Sequence, residues 1–242
     1  MNDPSLVKTA VVLAGGLGSR LGELTRAMPK CLIDVGGEPF AFHQLRLLKN
    51  NEIERVVFCV GHLGEIVRET VGDGSEFGLT IEYVFDGPKL LGTAGAIKRA
   101  MYALKDVFFV IYGDSYLPCD FARVLETFEE SGKSALMTVF ENHGRWDTSN
   151  VEFADGRIHA YDKAHRTARM RYIDYGLGLF HRRAFDLVPD ATPFDLAELY
   201  QRLLSRQDLA AHEVSERFYE VGSISGLDET REYLTASIGS RR

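Results

Sequence analysis

Three features of this sequence predict an α/β fold with a mostly parallel central sheet and helices on both faces. Short apolar runs alternate with amphipathic stretches through the first half, in β-α-β-α-β order. The first run, Thr9 to Ala14, is apolar on both alternating faces, as a strand covered on both sides must be. A second strongly apolar run, Val107 to Tyr112, ends in Gly113-Asp114-Ser115, much as the first ends in Gly15-Gly16. Ligands on such sheets collect at the carboxyl ends of the strands, so both loops are expected on one rim.

The elements follow in order. Pro39 to Leu48, with Phe40, Phe42, Leu45, Leu47 and Leu48, reads as a helix ended by Asn50-Asn51. Arg55 to Val60 is the second strand, and His62 to Val71 a short helix closed by Gly72-Asp73-Gly74. Thr80 to Phe85 alternates as a strand, Ala94 to Leu104 is a helix, and Val107 to Tyr112 is the fourth strand. A helix over Phe121 to Glu130 then leads into a strand over Ser134 to Phe140. Short strands come next: Val151 to Phe153, Ile158 to Tyr161 and Tyr175 to Phe180. Asp155-Gly156 between the first two is a hairpin turn. Helices around Leu196 to Leu204 and Gly226 to Ser237 close the chain. The expectation is one Rossmann-like domain over residues 1–242, a parallel half at about 7–141 and a smaller mixed-sheet lobe at about 142–242.

Composition excludes some classes. A net charge of −7 argues against a general nucleic-acid binder, which carries a basic face. No apolar run approaches the roughly 20 residues that span a bilayer, so no membrane partner is expected. Met1 to Leu6 lack the basic-then-apolar pattern of a secretory leader. Cys31, Cys59 and Cys119 are odd in number and far apart, which points to a reducing cytoplasm and away from a thiolate metal site. A homo-oligomer is compatible with the sequence but not legible in it.

The chemistry centres on Val11-Val12-Leu13-Ala14-Gly15-Gly16-Leu17-Gly18-Ser19-Arg20-Leu21, followed by Pro29-Lys30. Glycines after a buried strand let backbone N–H groups face phosphate oxygens, and Arg20 and Lys30 add two full positive charges. This is the outline of a polyphosphate site. A Walker A loop needs Gly-Lys-Ser/Thr, which Gly18-Ser19-Arg20 does not provide. A dinucleotide fingerprint needs a third glycine where Leu21 stands. Asp114, just past a buried parallel strand, is well placed to bind Mg²⁺ together with phosphates and water. Its plain alternative is a cap for the following segment.

The Gly-Gly-x-Gly-Ser-Arg-Leu…Pro-Lys pattern resembles the signature loop of the sugar-phosphate nucleotidylyltransferases, and the resemblance extends over most of the chain. It implies the nucleotide-diphospho-sugar transferase fold, with a nucleotide-binding half and a sugar-phosphate-binding half. Leu91-Gly92-Thr93-Ala94-Gly95-Ala96 is similar to the box that packs on the nucleobase. Gly113-Asp114-Ser115 matches the metal element, and Asp162-Lys163 occupies the place of a Glu-Lys pair whose lysine holds the sugar phosphate. Tyr172-Ile173-Asp174-Tyr175-Gly176 sits where relatives line the sugar pocket with Asn-Ala-Gly. Phe218-Tyr219-Glu220-Val221-Gly222-Ser223 resembles the element that supplies a second metal carboxylate. Two departures stand out. Glu220 replaces an aspartate, and Asp174 replaces an asparagine, where an acid favours a substrate with a donor or positive charge.

The resemblance implies in-line attack of a sugar 1-phosphate on the α-phosphorus of a nucleoside triphosphate, releasing pyrophosphate. No protein base is needed, since a phosphate monoester with a second pKa of about 6 is mostly dianionic at neutral pH. The implied catalytic residues are Arg20 on the triphosphate, Lys30 near the α-phosphate, Asp114 with Glu220 on Mg²⁺, and Lys163 on the acceptor phosphate. The implied nucleotide site comprises Leu13, Ala14, Gly15, Gly16, Gly18, Ser19, Arg20, Lys30, Gly92, Thr93 and Gly113. The implied acceptor site comprises Asn150, Asp162, Lys163, Asp174, Tyr175 and Gly176. Weaker candidates are His62, Arg169, Arg171 and Trp146, the last preferred as a core anchor. Relatives that read thymine or uracil often carry glutamine where Gly95 stands. The pattern looks more like guanylyltransferases for heptose- or mannose-type 1-phosphates, serving cell-surface polysaccharide precursors. Uridylyl or cytidylyl transfer, a non-sugar phosphate, a regulatory homologue without turnover, and a plain nucleotide-binding domain stay open.

Overall fold

The computed structural model describes residues 7–16, 28–190 and 192–239. Gly18, Ser19 and Arg20 lie outside the described residues. In chain order the strands are β1 (Thr9–Ala14), β2 (Asp34–Val35), β3 (Glu38–Pro39), β4 (Arg55–Val60), β5 (Thr80–Phe85), β6 (Val107–Tyr112) and β7 (Ser115–Tyr116). They continue with β8 (Ala135–Glu141), β9 (Val151–Ala154), β10 (Arg157–Tyr161), β11 (Tyr172–His181), β12 (Leu209–Val214) and β13 (Tyr219–Glu220). The helices are α1 (Phe40–Asn50), α2 (Gly64–Val71), α3 (Gly92–Arg99), α4 (Phe121–Ser131), α5 (Leu196–Ser205) and α6 (Ile224–Gly239).

β1 lies between β4 and β6, parallel to both, and β5 extends the parallel run beyond β4. On the other side β11 runs antiparallel to β6, then β8 pairs with β11 and β12 with β8. The β9–β10 hairpin joins β11 through Tyr172 and Val151. The mixed strands therefore continue the parallel sheet. The hairpin turns on Asp155-Gly156, both with positive φ, at 49° and 71°. That backbone matches the right-handed twist of the strands it joins.

Because side chains alternate across a strand, each central strand feeds two cores. Ala10, Val12, Phe58 and Ile111 pack against α1, α2 and α4, whereas Val11, Val57 and Val110 pack against α3 and α5. Full burial of a side chain such as Phe58 is worth about 1.5–3 kcal/mol. A smaller cluster of Ile33, Val35, Phe40, Val221, Leu227 and Leu234 ties α6 to the β2 region. At the start of α4, Asp120 accepts hydrogen bonds from the Ala122 and Arg123 amides at 3.0 and 3.4 Å. At its end Gly132 takes the left-handed conformation.

The chain departs from the sequence reading at several points: the short strands β2, β3, β7 and β13 were not expected, and the helix expected over Ala94 to Leu104 ends at Arg99 as α3. β12 was not expected, because Ala, Ala, His and Glu have little β propensity and form a strand here only by pairing with β8. β11 begins at Tyr172 rather than Tyr175. Its pairing with β8 shifts register between Asp174 and Gly178, so Tyr175 and Gly176 stand in a bulge that opens just after Asp174, itself paired with Val139. Bulges re-aim side chains beside functional sites.

Candidate active site

The rim at the carboxyl ends of β1, β4, β5 and β6 opens into a cavity of about 240 Å³. Leu13, Ala14, Gly15, Gly16, Lys30, Gly92, Thr93, Gly113 and Asp114 all line it, so every described residue of the expected nucleotide site is brought together. The sequence reading missed Asp86, Leu90, Tyr112 and Asp195 on the same walls. A second cavity of about 380 Å³ holds Asn150, Lys163, Asp174, Tyr175, Gly176 and Glu220, together with the unexpected Asp147, Thr148 and Arg166. The two cavities share Tyr112 and Asp114.

The first cavity is braced by the turn into α5. The Phe194 carbonyl accepts hydrogen bonds from the Ala94 and Gly95 amides at 2.9 and 3.0 Å, satisfying donors at the start of α3. Thr93 Oγ1 accepts from the Leu196 amide at 2.7 Å, and the Thr93 amide donates to Asp195 Oδ1 at 3.5 Å. Gly92 adopts φ +69°, and a Cβ there would lie 2.7 Å from the Phe194 carbonyl oxygen. Gly92→Ala is therefore expected to cost about 1–3 kcal/mol of stability and to weaken nucleotide binding. A denaturant titration beside a nucleotide binding isotherm checks both effects.

Asp86 is 6 % exposed, with its Oδ2 accepting from the Leu91 amide at 3.3 Å. Burial raises its carboxyl above the ordinary range, against the opposing pull of that amide and of Arg99. Tyr112 is held well above the usual phenol range, first by burial and then by Asp174, Asp114 and Asp195. It stays a neutral phenol near neutrality and does not serve as a base there.

Lys30 Nζ donates to Asp114 Oδ2 at 3.1 Å across the shared wall. β13 pairs with β7, setting Glu220 opposite Ser115, and the Val221 amide donates to the Asp114 carbonyl at 2.9 Å. The Glu220 carboxylate accepts from the Gly222 amide and from Ser223 Oγ. A Cβ on Gly222 would lie 2.5 Å from Glu220 Oε2, 3.2 Å from Asp114 Oδ2 and 3.4 Å from Lys30 Nζ. The missing side chain leaves a cradle between two carboxylates. No group of three metal-ligating side chains occurs among the described residues. A pair of carboxylates open to phosphate and water suits Mg²⁺, which takes few protein ligands.

In the second cavity Asn150 Oδ1 accepts from the Asp174 amide at 3.0 Å and holds the β11 bulge. Asp174 accepts from Tyr161 Oη at 3.2 Å and from the Gly176 amide at 3.1 Å. Lys163 Nζ stands 5.8 Å from the Tyr112 ring centre. Asp162 does not line this cavity. Its Oδ1 accepts from the Ala164 and His165 amides at 2.7 and 2.9 Å, which lowers its pKa and shapes the turn that presents Lys163.

The weaker candidates also find their places. His62 is exposed outside both cavities, and Arg169 pairs with Glu152 at 3.3 Å. Arg171 does not line the second cavity, and its carbonyl accepts from the Asn142 and His143 amides. Arg166 reaches the cavity instead, a choice among neighbouring arginines that depends on the loop's path. Trp146 packs on Phe140 with ring centres 5.6 Å apart, as a core anchor does.

A family model described as nucleotidyl transferase matches residues 9–232. A UTP–glucose-1-phosphate uridylyltransferase from Synechocystis is 27% identical over 81% of this chain, and the match spans 55% of that protein. A D-glycero-α-D-manno-heptose 1-phosphate guanylyltransferase from Campylobacter jejuni is 26% identical over 88% of this chain and 94% of its own length. A Bacillus anthracis structure provisionally assigned as a glucose-1-phosphate thymidylyltransferase superposes with a TM-score of 0.82 at 24% identity, covering 93% of this chain and 94% of that one. That likeness concerns the fold.

Proposed function

The chain belongs to the nucleotidyl transferase family, and we propose that it transfers a nucleoside monophosphate from a nucleoside triphosphate to a sugar 1-phosphate, releasing pyrophosphate. The observation that carries this reading is the meeting of two cavities at Tyr112 and Asp114. A nucleotide in the first and an acceptor in the second would bring the α-phosphate and the attacking oxygen together beside Lys30. Alignment of two anions is the main catalytic task here, since the acceptor needs no deprotonation.

Lys30 neutralises charge on the α-phosphate side, and Lys163 with Arg166 holds the acceptor phosphate. Tyr112 walls both cavities. Arg20 is assigned to the triphosphate. Asp114 and Glu220 would hold Mg²⁺, which when bound offsets charge that develops on the phosphates.

We read the nucleotide as GTP and the acceptor as D-glycero-D-manno-heptose 1-phosphate or a similar sugar 1-phosphate, in cytoplasmic synthesis of cell-surface polysaccharide precursors. The match over 88% of this chain and 94% of the Campylobacter relative favours this reading. So does Gly95, where a Cβ would press on Leu91 Cβ at 3.0 Å and the Thr192 carbonyl at 3.3 Å, so a larger side chain fits only if these neighbours shift. The uridylyltransferase relative makes UTP the principal rival. The test is Mg²⁺-dependent pyrophosphate release from each of ATP, GTP, CTP, UTP and dTTP against a panel of sugar 1-phosphates. Release with GTP and heptose 1-phosphate is expected. Preference for another base would overturn the guanylyl reading, and silence across the panel the transfer itself.

A further inference from the structure

A buried carboxylate is costly unless something donates to it. Among the polar side chains of the first cavity, Lys30 and Asp114 pair with each other, and Thr93 and Asp195 brace the α3–α5 junction. Cys59 Sγ faces the Ala96 carbonyl at 3.7 Å. Asp86 is different. Its amide donates to the Val60 carbonyl at 3.0 Å, fixing its backbone at the rim, and Oδ2 takes the Leu91 amide. Oδ1 has no hydrogen-bond partner among the described residues, although the side chain lines the cavity beside the apolar Leu13, Leu90 and Ala96.

A flat ligand held between apolar walls, with N–H groups on one edge, completes this arrangement. We propose that Asp86 reads the nucleobase and selects guanine, accepting N1–H and N2–H from its hydrogen-bonding edge. This rests on the reading of the first cavity as the nucleotide site. Guanine alone among the common bases offers two adjacent donors there. Uracil and thymine offer a single donor, N3–H, flanked by two carbonyl oxygens, and cytosine and adenine offer one exocyclic amine beside a ring acceptor. Those lone pairs meet an anion with no donor to give, so the same group that admits guanine rejects the others.

The test uses equilibrium binding and pyrophosphate release with GTP, ITP and XTP, for the full chain and for Asp86→Asn. ITP lacks the N2 amine and should bind about tenfold more weakly than GTP to the unaltered chain, the loss of one hydrogen bond to a charged group. XTP carries a carbonyl in place of that amine and should be refused. The Asp86→Asn amide keeps the size and an acceptor for the Leu91 amide while adding a donor for that carbonyl. It should lose GTP by about tenfold and gain XTP, moving the GTP-to-XTP ratio by on the order of a hundredfold. Equal binding of GTP and ITP to the unaltered chain, which requires no variant to fold, would overturn the proposal. So would an unchanged ratio in Asp86→Asn. Turnover of GTP with an unchanged ratio removes Asp86 but leaves the transfer reading standing. A switched binding ratio without pyrophosphate release from any acceptor does the reverse.

Discussion

Asp114→Asn is expected to lower pyrophosphate release by about a hundredfold or more while the protein keeps its fold. The side chain is on the wall shared by both cavities, and its Oδ2 is 3.1 Å from Lys30 Nζ. Asparagine keeps the shape but removes the charge that would hold Mg²⁺ and hold Lys30 in place. The Asp114 main chain, bonded to the Val221 amide at 2.9 Å, is untouched, so the β7–β13 ladder should persist. Initial rates at saturating substrates, beside a thermal melt, check the result. A near-normal rate in a folded variant would remove Asp114 from the reaction.

Lys163→Ala acts on the other substrate. It should lower kcat/KM for the acceptor by about 10- to 100-fold, the worth of one hydrogen bond between charged groups. Nucleotide affinity should be unchanged, because Lys163 lines only the acceptor cavity. Arg166 remains as a second cation on that wall, so the loss should fall mainly on acceptor KM and deepen when Arg166→Ala is added. An acceptor KM equal to that of the unaltered chain would exclude Lys163 from the phosphate site. A matching loss of nucleotide affinity would instead point to a disturbed fold.

Much of this was legible in the amino-acid sequence. The parallel half was readable because each central strand is apolar on both faces and is punctuated by glycine or a turn. Lys30 and Asp114 were readable because they follow the glycines that end apolar strands, and Lys163 because Asp162-Lys163 resembles a family pair. Other positions had no local signal. Asp162 was assigned to the acceptor site from its neighbour Lys163, yet the chain turns there, and its carboxylate is used by the Ala164 and His165 amides.

The sequence by itself determined the fold class, the rim on which ligands collect and the family to which the chain belongs, because these follow from patterns among near neighbours. Only the tertiary structure decided that Asp86 and Asp195 line the first cavity, that Arg166 rather than Arg169 lines the second, and that Tyr112 lines both. A cavity wall is assembled from strand register and loop path. Residues far apart in the chain meet there through pairings such as β4 with β5 and β11 with β6, and no local pattern records them.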